Sequence, residues 1–223
     1  MPFDQEAVLR RFATAAADAH AELTALDQLS GDGDFGDNLR DGLQDAVDRF
    51  ESSGGAAFAV LGEVFLDEVG GTSGPLLGLL FTEIARALST DVEPAVAWAT
   101  GTAAGLDAIQ RVGEAQVGDR TLVDALAPAV EALRGGGLAD AAEAAAAGAA
   151  HTAELRARMG RASYVGDRAK GQPDPGAVGI ALLFWSAATV THPSSDLPPP
   201  LPSVTRRAPS AVNGRTPPRA HHT

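Results

Sequence analysis

The chain has 223 residues, 45% of them apolar, with a formal net charge of −12 and no cysteine. That length suits one domain, or one domain with a tail, and supplies apolar material for a sizeable core. Lack of cysteine removes disulfides, thiolate catalysis and Cys-based metal sites, while the negative charge disfavours nucleic acid and anionic membrane surfaces as partners.

Helical periodicity recurs along the chain and strand alternation does not. Val8, Phe12, Ala16, Ala19, Leu23 and Leu26 mark one face of a first helix over about 4–27. A second is expected over about 37–50, before the breaker SSGG, and a third runs to about 69. GGTSGP opens a fourth, and STDVEP precedes a fifth over about 92–112. The sixth covers about 121–134 and ends in RGGG, the alanine-rich seventh about 138–158, and the eighth begins near Gly176. Trp98 and Trp185 fall at helical spacing and read as core residues, while His20 and His151 read as half-exposed.

From Pro193 the pattern changes. Eight of the fourteen prolines lie there, with four arginines against one aspartate, so this segment is at +3 and the preceding 192 residues at −15. Residues 1–192 are therefore expected to form one helical domain and 193–223 a disordered, proline-rich tail. The first residues lack the basic-then-apolar order of a signal peptide, and no apolar run reaches roughly 18 residues. A cytoplasmic protein is the expectation.

Eight helices with short connections favour antiparallel, up-and-down neighbours. Alternate loops then emerge at the same end. Loops two, four and six are ordinary breakers. Loops one, three, five and seven contain an acid cluster, GGTSGP, GEAQVGDRT and GRASYVGDRAKGQPDPGA. All the unusual loops are predicted to share one rim.

The acid cluster, LDQLSGDGDFGDNL, supplies Asp27, Asp32, Asp34 and Asp37. Carboxylates alternating through a glycine turn can converge on a cation, whereas Asp37 suits the N-terminal cap of the second helix. Hard oxygen donors without cysteine favour Mg²⁺, Mn²⁺ or Ca²⁺ over zinc. The calcium-loop pattern fails because Gly36 stands at its third ligand position, which leaves magnesium with phosphate as the better reading and a polar capping turn as the plain alternative. Gly70-Gly71-Thr72-Ser73-Gly74-Pro75 leads into a helix N-terminus, a suitable anion cradle but not a P-loop, since the Lys-[Ser/Thr] pair is missing. Arg161 can pair with phosphate through its planar fork or form an exposed ion pair, and Asp174-Pro175-Gly176 repeats the loop-to-helix device.

In this order, LDQLSGDGDFGDNL, GGTSGPLLG, VGDRTLVDALAPAVEAL and GRASYVGDRAKGQPDPGA resemble the nucleotide-binding L subunits of dihydroxyacetone kinases, over residues 1 to about 190. The resemblance implies an all-α, eight-helix antiparallel barrel with its nucleotide site at one rim. It implies that Asp27, Asp32 and Asp34 hold a pair of Mg²⁺ ions and that Phe35, Gly36, Asp37 and Asn38 form a phosphate-proximal loop. Thr72 and Ser73 would donate to phosphate, Gly113 and Leu122 would flank the base, and Arg161, Asp174, Pro175 and Gly176 would close the pocket. The donor would be ATP, or a resident ADP recharged by a phosphotransferase-system M subunit. The acceptor, dihydroxyacetone or a related short ketose, would sit on a separate K subunit, so this chain alone should be inactive. Three departures stand out: Phe35 replaces the family's usual His, Arg120 stands where Lys is common, and Asp167 replaces a frequent Glu. Phe35 keeps open a degenerate regulatory paralogue, or a donor domain for another substrate.

Overall fold

The computed structural model describes residues 3–164, 166–201 and 203–204. Among the described residues there are eight α-helices and no strand. They are α1 (Gln5–Ser30), α2 (Phe35–Ser53), α3 (Ala57–Asp67), α4 (Ser73–Leu88), α5 (Pro94–Gly113), α6 (Val123–Gly135), α7 (Leu138–His151) and α8 (Pro175–Thr191). Three short 3₁₀ turns, at Thr152–Glu154, Arg161–Tyr164 and Gly166–Ala169, occupy the long connection before α8. Each helix packs on the next, and α8 returns to α1, closing the barrel.

Local chemistry sets the helix starts. Asp4 accepts the Ala7 N–H at the head of α1, Glu93 accepts from Ala95 and Val96 before Pro94 of α5, and Asp174 accepts from Ala177 before Pro175 of α8. The interior joins small-residue contacts to an aromatic cluster. Phe65 meets Phe81 edge-on at 5.1 Å, and Phe58 meets Trp98 at 5.2 Å. Both tryptophans are core residues, as their spacing predicts. Gly36 lets α2 cross α1 closely, because a Cβ there would meet the Thr24 hydroxyl and the His20 carbonyl.

Two element boundaries differ from the sequence reading. α2 begins at Phe35 with Asp34 at its cap position, so Asp37 is not the cap. Asp37 instead lies in the first turn, where its carboxylate pairs with His20 and Arg40. α7 stops at His151 rather than about 158. The buried Thr152 hydroxyl donates to the Ala149 carbonyl and accepts the Asp174 N–H at 2.7 Å, which turns the chain out of the helix and pins the far end of the same loop.

The proline-rich segment also departs from expectation. α8 is apolar on all sides, and residues beyond Pro193 join the core: Leu197 and Val204 are buried. The Trp185 indole N–H donates to the Leu197 carbonyl at 3.3 Å, and the Arg11 guanidinium lies 4.3 Å over the same ring. Packing therefore continues past 192 to Val204. Proline defeats helical periodicity, yet a leucine or valine between prolines can still cover a tryptophan. The rest of the expected tail, 205–223, lies outside the described residues. No described helix is long and apolar enough to cross a membrane.

Candidate functional site

In an up-and-down barrel, one rim receives the ends of α1, α3, α5 and α7 and the starts of α2, α4, α6 and α8. Those four connections line a single cleft that encloses an empty volume of about 1070 Å³, part of it open to solvent. Phe35, Ser73, Val123 and Pro175, the first residues of the four incoming helices, all border it. Four N-terminal dipoles thus point at one space, and anions are favoured there. At α2, α4 and α6 the cap residue makes no side-chain hydrogen bond; Asp27 takes the Phe35 N–H and the Thr121 hydroxyl the Val123 N–H, which leaves the start of α4 the most open to a ligand or water.

The acid loop is built around Asp27. One of its carboxylate oxygens accepts the N–H of Gly33 at 3.0 Å and of Phe35 at 3.1 Å, and its carbonyl accepts the N–H of Gly31. The turn needs a left-handed residue, which Gly33 supplies at φ 88°. Asp32 is paired with Arg161, reached from the connection before α8. Asp34 occupies the cap position of α2 without making a cap hydrogen bond. Among the described residues no three His, Asp or Glu side chains stand together as a metal cage. The three aspartates therefore share a cleft but do not converge on one point. Backbone N–H groups engage the first, a guanidinium the second, and neither the third.

The donor chemistry still fits a hard divalent cation. Three carboxylates of the acid loop border the cleft with Asp174 as a fourth, and Arg161 on Asp32 shows positive charge already accommodated there. A cation at this place would take part of its shell from water or phosphate oxygens.

Buried polar groups tie the fifth and seventh loops together. Asp124 accepts the N–H of Gly118 and, at 2.8 Å, of Thr121, fixing the turn before α6. Asp119 accepts the Gln116 N–H and faces Arg158 at 3.5 Å. Between them Arg120 is buried and donates to the carbonyls of Ala169 and Gln172. Burial pushes the Asp174 carboxyl up to about 6, against the Ala177 N–H and Arg120, which favour its charge, while Asp124 and Asp27 add to the rise.

Of the residues expected at the site, Asp27, Asp32, Asp34, Phe35, Asn38, Thr72, Ser73, Gly113, Leu122, Arg161, Asp174, Pro175 and Gly176 border the cleft. Gly36 and Asp37 do not: the first is buried against α1, and the second turns outward to His20 and Arg40. Phe35 is buried, and a Cβ on Gly179 of α8 would lie 3.0 Å from its ring. Sequence reasoning missed Arg120, Ile109 and Met159, which also line the cleft. Arg120 carried one signal, a cation in a turn of an otherwise acidic body.

A family model described as the DAK2 domain matches residues 30–189. The chain is similar to the L-erythrulose 1-kinase of Mycolicibacterium smegmatis, 39% identical over 192 residues, covering 80% of this chain and 34% of that one. It is 35% identical over 191 residues to the PEP-dependent dihydroxyacetone kinase 1, ADP-binding subunit DhaL, of Listeria innocua, covering 82% of this chain and 96% of that subunit. A solved structure, the dihydroxyacetone kinase from C. freundii in complex with AMP-PNP and Mg²⁺, superposes with a TM-score of 0.67 at 28% identity, over 83% of this chain and 33% of that one. The chain thus spans about a third of the erythrulose kinase and of the C. freundii kinase, and nearly all of the Listeria subunit.

Proposed function

The chain belongs to the DAK2-domain family, and on that premise we propose that it is the nucleotide-binding, phosphoryl-donating unit of a dihydroxyacetone-type kinase. One observation supports this above the others: four helix N-termini and four aspartates, three of them from one loop, border a single cleft. Anion-favouring dipoles beside cation-favouring carboxylates suit a metal-bound polyphosphate better than either charge alone.

On this reading Asp27, Asp32 and Asp34 would hold a pair of Mg²⁺ ions. When bound, magnesium supplies charge neutralisation at the β- and γ-phosphate oxygens of the nucleotide. Thr72, Ser73, the first N–H groups of α4 and those of α2 that follow Phe35 would bind phosphate oxygens. Arg161 would leave Asp32 for phosphate and stabilise charge that spreads during transfer. Gly113 and Leu122 would hold the base, with Asp174, Pro175 and Gly176 closing the pocket. Phe35, fixed against Gly179, would keep the floor apolar and dry. The chain would contribute positioning and electrostatics, with no covalent nucleophile of its own. The acceptor ketose would be carried by a separate K subunit. The erythrulose kinase among the relatives makes a four-carbon ketose a substrate to assay beside dihydroxyacetone.

The direct test is calorimetry with Mg·ADP on Asp32→Ala and Asp34→Ala. Each substitution should abolish binding while circular dichroism shows the helices intact, and unchanged affinity in both variants would refute the assignment. Gel filtration with a chelator separates the two donor modes: exchangeable ATP is released, whereas a resident ADP recharged by an M subunit is retained. Phosphoryl transfer to either ketose should require added K subunit.

A further inference from the structure

The turn between α5 and α6 holds an arginine in two unfavourable conditions at once. Arg120 has φ 61°, a left-handed backbone that non-glycine residues rarely adopt. Its side chain is 3% exposed, although arginine is almost never fully buried without partners. The turn enforces this. Gly118 precedes it at φ 97°, and Asp124 takes the N–H groups of Gly118 and Thr121 on either side. The guanidinium is therefore directed inward rather than to solvent.

There it spans a long distance in sequence. Nη2 donates to the carbonyls of Ala169, at 3.2 Å, and Gln172, at 3.0 Å, which are 49 and 52 residues away. Both carbonyls lie on the connection that brings Arg161 and Asp174 to the cleft. The fork closes this connection from one side, as Thr152 closes it from the other through the Asp174 N–H. Nη1 is buried with no hydrogen-bond partner. The residue borders the nucleotide cleft on one side and, on the other, a second cavity lined by Glu154, Leu155, Arg156 and Lys170. A buried donor left unpaired is costly, so its retention points to a use.

We infer that Arg120 is a positioning residue for nucleotide binding: its two-carbonyl fork sets where Arg161 and Asp174 stand. This rests on the proposed nucleotide reading of the site. The role needs a donor that reaches the two carbonyls, so lysine should serve in part and an apolar side chain of similar length should not.

The experiment is a double-mutant cycle on Mg·ADP affinity, using Arg120→Met, Arg161→Ala and both together, with Arg120→Lys as the conservative variant. Arg120→Met should weaken binding about 10-fold or more, and Arg120→Lys should restore it to within about 3-fold of the unsubstituted protein. Because Arg120 acts through the loop that holds Arg161, the double variant should be weaker than Arg161→Ala by only about 2-fold. Fully multiplicative losses, or unchanged affinity in Arg120→Met, would overturn the inference. Should Arg120→Met fail to fold, the cycle runs with Arg120→Lys, whose small loss must likewise vanish in the Arg161→Ala background. If the unsubstituted protein does not bind Mg·ADP at all, the nucleotide reading fails instead, so the two failures are distinguishable.

Discussion

Asp174→Asn isolates the electrostatic strain in the cleft. Burial raises the Asp174 carboxyl from 3.8 to about 6, and the carboxylates of Asp124 and Asp27 push the same way. Between those two values the folded chain holds the proton more tightly than the unfolded chain does. Stability therefore falls as pH rises through that window, and the loss is complete above about 6. Two pH units at about 1.4 kcal/mol each give nearly 3 kcal/mol, reduced toward about 2 kcal/mol by water at a partly exposed residue. Asparagine keeps the side-chain oxygen that accepts the Ala177 N–H, so the α8 cap survives the substitution. The assay is urea unfolding of ligand-free protein from about pH 4 to about pH 7, comparing the two proteins so that all other acids cancel. The curves should coincide at the acid end, and the variant should be the more stable by about 2 kcal/mol at neutral pH. Parallel curves, or a less stable variant at pH 7, would refute the reasoning.

Other substitutions test the frame around the cleft. Gly36→Ala sets a methyl group against the Thr24 hydroxyl and within 2.8 Å of the His20 carbonyl, so it should cost about 1–3 kcal/mol in urea unfolding and shift α2 against α1. Thr152→Val removes a fully buried hydroxyl that both donates to Ala149 and accepts from Asp174, and should cost about 1–3 kcal/mol. The same change should speed proteolysis between residues 153 and 174, and an unaltered cleavage rate would separate that loop from Thr152. Ending the chain at His192 strips two buried side chains, Leu197 and Val204, from the core and should cost roughly 3 kcal/mol, read as a lower melting temperature; an unchanged one would show that the segment does not support the barrel.

Most of the barrel was legible because it is built from amphipathic helices whose breakers are glycine, proline and capping acids. Periodicity sees a face, and α1, with its buried row from Val8 to Leu26, shows one plainly. It cannot see a tertiary hydrogen bond. The early end of α7 depends on Thr152 meeting the Asp174 N–H, a partner 22 residues on, while the local alanine-rich run favours more helix. The Leu197 and Val204 cover was hidden for the same reason. α8 is apolar on every side, so its composition implies a lid without saying which residues provide it.

The acid cluster shows where local sequence stops being informative about a site. Four aspartates on a short junction imply repulsion only if nothing else answers them, and a bound cation is the natural answer when the loop is considered alone. In the fold three of the four aspartates meet their own counterparts: Asp27 the N–H groups of Gly33 and Phe35, Asp32 the guanidinium of Arg161, Asp37 the side chains of His20 and Arg40. Repulsion is thus relieved without a metal, so an empty rim need not be a loose one. The consequence reaches the proposed function. A cation entering beside Asp32 competes with Arg161 for that carboxylate, and the displaced guanidinium is then available to phosphate from the same bound ligand. Cation and nucleotide should accordingly bind with positive coupling, each removing the partner that the other must replace. Arg161→Ala separates the two contributions: it should tighten Mg²⁺ alone, by freeing Asp32, while weakening Mg·ADP. Loss of both affinities together would show that Arg161 supports the cleft in some way other than by this exchange.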